Sequence, residues 1–326
     1  MRERRDFGVR TRDKKDREPH RKYLLVFEGE KTEKIYFDKV MECRNVLHIN
    51  DLLDLIPIER EYYEQGISNP KKLVERFIED VNLSNVEDIS CEKLLGWIME
   101  DLIEKCSFLD NENVKMKIWR NLKDIGQDLW GNDLSRKINK DNIDNDCQDV
   151  VSSLISKMEK QFSWPEIVTN IGEGISHNHN ITYDPDLDKV CFIVDRDKRS
   201  FKEDQYRDTI DICQRHKYGF YVSNPCFEFW LLLHFQESRN LSDEEKKNLL
   251  ENKKFDGSRK TSSRTYAENK LRGLLVGYTK NKYDVSKLIS KVPNAIENEK
   301  MFCEDEALLI DKVGSRVGIL FQELRV

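Results

Sequence analysis

Apolar side chains follow two spacings along this chain. Short unbroken runs end at an acid, a glycine or a proline: Tyr23-Leu24-Leu25-Val26-Phe27 before Glu28-Gly29, Val190 to Val194 before Asp195-Arg196-Asp197, and Gly219 to Ser223 before Pro225. Each is too short for a helix and has no polar face, which predicts strands buried on both sides. A further strand is expected at Leu52 to Ile58. Elsewhere the spacing lengthens to three and four. Ile35, Tyr36, Lys39, Val40 and Cys43 fit one face of a helix with Thr32 as its N-cap, and Leu73, Val74, Phe77 and Ile78 line a helix over Lys71 to Val81. Two more helices are expected over Glu203 to Lys217 and Pro225 to Phe235. Strands alternating with helices predict an α/β fold, a small parallel sheet flanked by helices.

The pattern also sets the domain organisation. Residues 1–22 are charged and poor in apolar side chains, a basic flexible tail. The α/β core is discontinuous, 23–83 and 187–240. Residues 84–186 form a helical insertion, with apolar positions at helical spacing (Leu94, Leu95, Ile98, Leu102; Val150, Leu154, Ile155, Met158) broken by an Asn/Asp-rich turn at Asp141 to Asp149. Residues 241–326 make a basic, helical C-terminal region. No internal repeat is evident.

The net charge of −6 argues against a nucleic-acid partner until it is divided along the chain. The first 22 residues hold ten Lys/Arg against five Asp/Glu, and Lys253 to Lys282 holds nine against two. Patches of this kind contact phosphate whatever the bulk charge. Lys253, Lys254, Arg259, Lys260, Arg264, Lys280 and Lys282 are therefore candidate nucleic-acid contacts, with hydroxyls and tyrosines among them to serve backbone and stacked bases. The eight cysteines show no metal-binding spacing and several sit inside apolar runs, which reads as free core thiols in a reducing compartment. With no apolar leader and no run near the ~18 residues of a membrane span, the expectation is a cytoplasmic protein without membrane contact.

In a parallel sheet, reactive groups gather where strands end. Glu28 closes the first strand; Asp195 and Asp197 close the one at 190–194 and share a side if strand alternation continues. Carboxylates about 4 Å apart repel by roughly 4 kcal/mol at an effective dielectric of about 20, so such a cluster calls for a cation. An oxygen-only, highly charged set suits Mg²⁺ or Mn²⁺. Glu228, a charge inside the apolar run Phe227 to Phe235, needs a partner or a role. His234 in the same run reads as a satisfied core histidine, His177 and His179 as a polar loop, and Cys226 as an ordinary buried thiol.

The segment Tyr23 to Phe37 (YLLVFEGEKTEKIYF) resembles the first motif of TOPRIM domains and, more narrowly, of the RloB-like family. Further similar segments follow in order: Gly66 to Asp80, Val190 to Lys198 (VCFIVDRDK), Val222 to Phe235 (VSNPCFEFWLLLHF), Gly277 to Asp284 (GYTKNKYD) and Gly314 to Leu324. The resemblance implies a TOPRIM, Rossmann-like fold and Mg²⁺-dependent cleavage of phosphodiester bonds in antiviral defence. It implies Glu28 as general acid/base or metal ligand, and Asp195 and Asp197 as metal ligands. Glu33 stands one residue further from Glu-Gly than the second acid of overcoming-lysogenization-defect nucleases. The insertion has no counterpart in the resemblance.

The resulting expectation is a Mg²⁺-dependent endonuclease with RNA, tRNA in particular, ahead of DNA, and with Glu28, Asp195, Asp197, Glu33 and Glu228 as candidate catalytic residues. A DNA endonuclease of the same fold is one alternative. A non-hydrolytic subunit that senses a nucleotide or oligonucleotide is another; a haloacid dehalogenase type of phosphatase is disfavoured because Lys198-Arg199 follows the acids where small residues belong. An ATPase partner, a nucleotide signal and a homo-oligomer stay open.

Overall fold

A computed structural model describes residues 2–3, 20–29, 31–59, 69–82, 88–139, 142–165, 168, 171, 175, 181, 183–254 and 264–325. Contacts divide the chain into two compact units. One comprises Met1–Glu3, Glu59–Gly66 and Arg76–Thr182; the other comprises Arg4–Ile58, Ile67–Glu75 and Tyr183–Val326. Of the expected basic tail only Arg2–Glu3, a short strand, and residues from 20 onward fall within the described residues.

The larger unit carries the sheet. Leu53–Glu59, Arg21–Phe27, Lys189–Asp195, Gly219–Asn224 and Gly314–Ser315 lie side by side in that order. The first four run parallel, with Val26 opposite both Ile58 and Phe192, and Asp195 opposite Ser223. The fifth is antiparallel, Ser223 facing Ser315. Tyr23 to Phe27 and Val190 to Val194 are buried at every position, as their unbroken apolar runs predict for strands covered on both faces. This is an α/β fold, with the expected strands within two residues of their places. Parallel pairing puts the C-terminal ends of Arg21–Phe27, Lys189–Asp195 and Gly219–Asn224 on one edge, and the acids stand on that edge.

Helices follow the strands. Thr32–Glu42 buries Tyr36, Phe37 and Val40, and the Phe37 ring stacks on Phe27 (5.3 Å) and Phe321 (6.1 Å). Thr32 is not its cap, contrary to the sequence expectation: Lys31 holds the cap position, and the Thr32 hydroxyl instead donates to the carbonyl of Lys280 (3.1 Å). A cap contributes about 1 kcal/mol. Burial of each large side chain contributes about 1.5–3 kcal/mol, so the buried face holds this helix without it. Glu203–His216 ends where Lys217 turns left-handed (φ 58°). Phe227–Leu232 packs beneath the sheet edge, sharing one core with Leu271, Leu288, Val292 and Leu320 of the C-terminal region. That region, set apart in the sequence by its charge, therefore belongs to the same compact body as the sheet.

The smaller unit has its own core, built on the helices Cys91–Lys105, Glu112–Trp130 and Ile143–Met158. Ser90 and Asn111 cap the first two by accepting the backbone N–H groups of Lys93 and Asn113, and Gly131 (φ 93°) stops the second. A two-stranded antiparallel pair, Asp88–Ser90 with Lys137–Asn139, adds to the expected all-helical insertion. Three residues are too few to show a period of two in the sequence. Inside this unit Lys93 forms a buried ion pair with Asp80.

Candidate functional site

The site grows out of the backbone of two neighbouring strands. Past the end of Arg21–Phe27, the N–H of Glu28 donates to Ile193 O (3.1 Å), so Glu28 still follows the line of the sheet. The N–H of Asp195 donates in return to Glu28 Oε2 (2.8 Å). Asp195 Oδ1 accepts the N–H of Phe227 (2.7 Å), where the Phe227–Leu232 helix starts. A carboxylate here satisfies an orphan donor and meets the positive end of that helix. Glu28 and Asp195 are thus positioned by main chain.

Two further acids join them. Glu33, in the first turn of Thr32–Glu42, is buried with its carboxylate in the space above Gly29; a Cβ at position 29 would collide with it. Glu228, in the first turn of Phe227–Leu232, is buried, and its Oε1 accepts the Tyr278 hydroxyl (3.0 Å) and pairs with Lys280 Nζ (3.2 Å). The turn from Gly277 to Tyr283 that delivers both is closed by Thr279 and Lys282 pairing through their main chains. It is tied to the start of the Glu33 helix at two points: Thr32 Oγ1 to Lys280 O, and the Tyr283 hydroxyl to Thr32 O (2.6 Å).

The electrostatics follow from the crowding. Burial, then the charges of Glu33, Glu28 and Glu228, hold the Asp195 carboxyl well above the usual carboxylate range. Burial acts the same way on Glu228, but there the Lys280 ammonium, with hydrogen bonds from Cys226 and its own backbone, prevails and leaves it below its ordinary value. The Glu228 charge also raises Lys280. One carboxyl of the group is pushed toward neutrality and another is held ionised by a lysine.

Asp197 stands apart. The strand stops at Asp195, so alternation no longer applies, and Asp197 is solvent-exposed, accepting from the N–H of Arg199 (3.0 Å) and the Ser200 hydroxyl (3.2 Å) to close its own turn. His234 is a core residue: Tyr36 Oη lies 2.9 Å from its Nε2, Trp230 O lies 3.1 Å from its Nδ1, and burial pulls its pKa down to about 3. Burial pushes the Cys226 thiol well above its usual range, which suits an inert thiol. Of the candidate phosphate contacts, Lys253 pairs with Glu251 (2.8 Å), Arg264 approaches Glu268 (3.8 Å), Lys254 bridges Thr265 through its main chain, and Lys282 is exposed. Arg259 and Lys260, like His177 and His179, lie outside the described residues.

The sequence named Glu28, Asp195, Glu33 and Glu228 separately, and the fold brings them together. It did not foresee Tyr278 as a partner of Glu228; the segment Gly277 to Asp284 was the signal available. Among the described residues no group of three His, Cys, Asp or Glu side chains is arranged as a ready-made metal cage. Mg²⁺ does not need one, since it keeps several waters and takes one or two carboxylates plus substrate phosphate. The donor set of Glu28, Glu33, Asp195 and Glu228 is all hard oxygen, the ligand type that a small divalent cation takes.

Among the described residues no helix is long and apolar enough to cross a membrane, and the eight cysteines are free thiols. Comparison with curated proteins and with solved structures finds no match. The family model for RloB-like proteins, in contrast, matches residues 23–324, from the first buried strand through the last helix, and the chain belongs to the RloB-like protein family.

Proposed function

We propose that this RloB-like protein is a Mg²⁺- or Mn²⁺-dependent endonuclease of antiviral defence that cuts RNA, tRNA in particular. The observation that carries the reading is the convergence of Glu28, Glu33, Asp195 and Glu228 at the carboxyl edge of a parallel sheet, with Lys280 among them. Glu28 and Asp195 would hold the divalent cation, which would supply charge stabilisation at a phosphoryl group and lower the pKa of a water. The backbone amide of Asp195 keeps the Glu28 carboxylate oriented, and the N–H of Phe227 does the same for Asp195. Lys280 and exposed Lys282, on the turn beside the acids, supply positive charge for the phosphate backbone. Asp197, exposed two residues past the strand, is a further candidate ligand that also closes its own turn.

The test is cleavage of a tRNA pool, single-stranded RNA and duplex DNA by purified protein with and without Mg²⁺. Metal-dependent scission of RNA that disappears in Glu28→Ala and Asp195→Ala, both still folded, is the expected result. Undiminished cleavage in both variants, or nucleotide binding with no scission of any substrate, overturns it in favour of contamination or of the sensing subunit.

A further inference from the structure

Resting on that reading, we infer that Lys280 is a built-in competitor of the divalent cation: its ammonium pairs with Glu228 and exchanges to the substrate phosphate when the cation binds. The ion pair is specific in geometry. Lys280 Nζ and the Tyr278 hydroxyl converge on the same Glu228 oxygen, Oε1, at 3.2 and 3.0 Å. Glu228 is buried, whereas the Lys280 side chain is 52% exposed, so the lysine rather than the glutamate is the member able to move.

The backbone of Lys280 is anchored while its side chain reaches Glu228 from a half-exposed position. Thr32 Oγ1 holds the Lys280 carbonyl and Tyr283 holds Thr32 O, which ties the turn to the helix of Glu33. The four-carbon stem can swing its charge between Glu228 and a phosphate without moving this anchor. Tyr278, anchored as a buried ring, keeps its hydrogen bond to Glu228 and so leaves the carboxylate satisfied at one oxygen when the ammonium departs. An ammonium and a divalent cation seeking the same group of carboxylates exclude each other by charge repulsion over a few ångströms.

The experiment is Mn²⁺ binding, followed by electron paramagnetic resonance of the free ion, in the full chain at fixed pH and low salt. Lys280→Met binds Mn²⁺ at least about tenfold more tightly than wild type, Lys280→Arg keeps the wild-type affinity, and the gain from Lys280→Met vanishes in a Glu228→Gln background. Unchanged or weaker binding by Lys280→Met, or a gain that persists without the Glu228 charge, overturns the inference alone. Absence of Mn²⁺ binding in wild type and Lys280→Met together, with both melting normally, overturns the reading of the acids as a metal site as well.

Discussion

The carboxylate of Glu33 occupies the place where a side chain on Gly29 would be. Glycine is required there for space and not for a left-handed backbone, since position 29 is not among the glycines of positive φ. Gly29→Ala is therefore expected to fold. The reduced freedom of the unfolded chain contributes about 0.4–1 kcal/mol in its favour, and the end of a flexible side chain yields more readily than main chain. The cost falls on the site, because Glu33 must leave the group of acids. The expected outcome is a melting temperature within a few degrees of wild type with Mn²⁺ binding weakened about tenfold or more. A folded Gly29→Ala protein with wild-type metal affinity would show that Glu33 plays no part in the site.

Glu299 gives a pH dependence of stability that lies outside the acid cluster. It is fully buried in the Val292–Glu299 helix, its Oε1 accepts the N–H of Gly318 (3.0 Å), and burial pushes its pKa from 4.5 up to about 7. A carboxyl whose folded pKa is raised favours the folded state in its protonated form. Its contribution is full below about 4.5, declines as pH rises to about 7, and is lost above that, a change on the order of 3 kcal/mol. Glu299→Gln removes the proton from the balance. Denaturant titrations at pH 5 and pH 8 should show wild type losing stability between the two and the glutamine variant losing markedly less; equal losses would exclude Glu299 as the source.

In the smaller unit, the Lys93–Asp80 pair sets the stakes of a buried charge. Removing one partner strands the other, at about 3–5 kcal/mol, whereas replacing both by apolar residues of similar size is near neutral. Lys93→Met should lower the denaturation midpoint strongly, and Lys93→Met combined with Asp80→Leu should recover most of the loss. A double variant no better than the single would mean that other contacts of Asp80 or Lys93 carry the stability.

How much of this was legible in the sequence depends on whether a feature is local. The strands Arg21–Phe27 and Lys189–Asp195 were readable because burial on both faces leaves an unbroken apolar run. Glu28 and Asp195 were readable as candidates because each ends such a run. For Asp197 the expectation held only if strand alternation continued, and the strand stops at Asp195. Thr32 has the residue type of a cap, yet its hydroxyl is taken by Lys280 O, 248 positions along the chain. Glu228 was visible as a charge in an apolar run, but its partners Tyr278 and Lys280 are 50 and 52 residues on, and no spacing rule reaches that far.

The hydrogen bond from Asp195 to Glu28 joins residues 167 positions apart. At about 5–20 residues per second of synthesis, the first acid waits on the order of ten seconds or more before its neighbouring strand exists, and longer for Glu228 and Lys280. The first strand meanwhile has no Lys189–Asp195 edge to pair with, since Tyr23 to Phe27 pair with Lys189 to Ile193. A prematurely terminated chain therefore carries the motif without the group of acids. Asp195 meets Glu28 only once more than half of the 326 residues have been made.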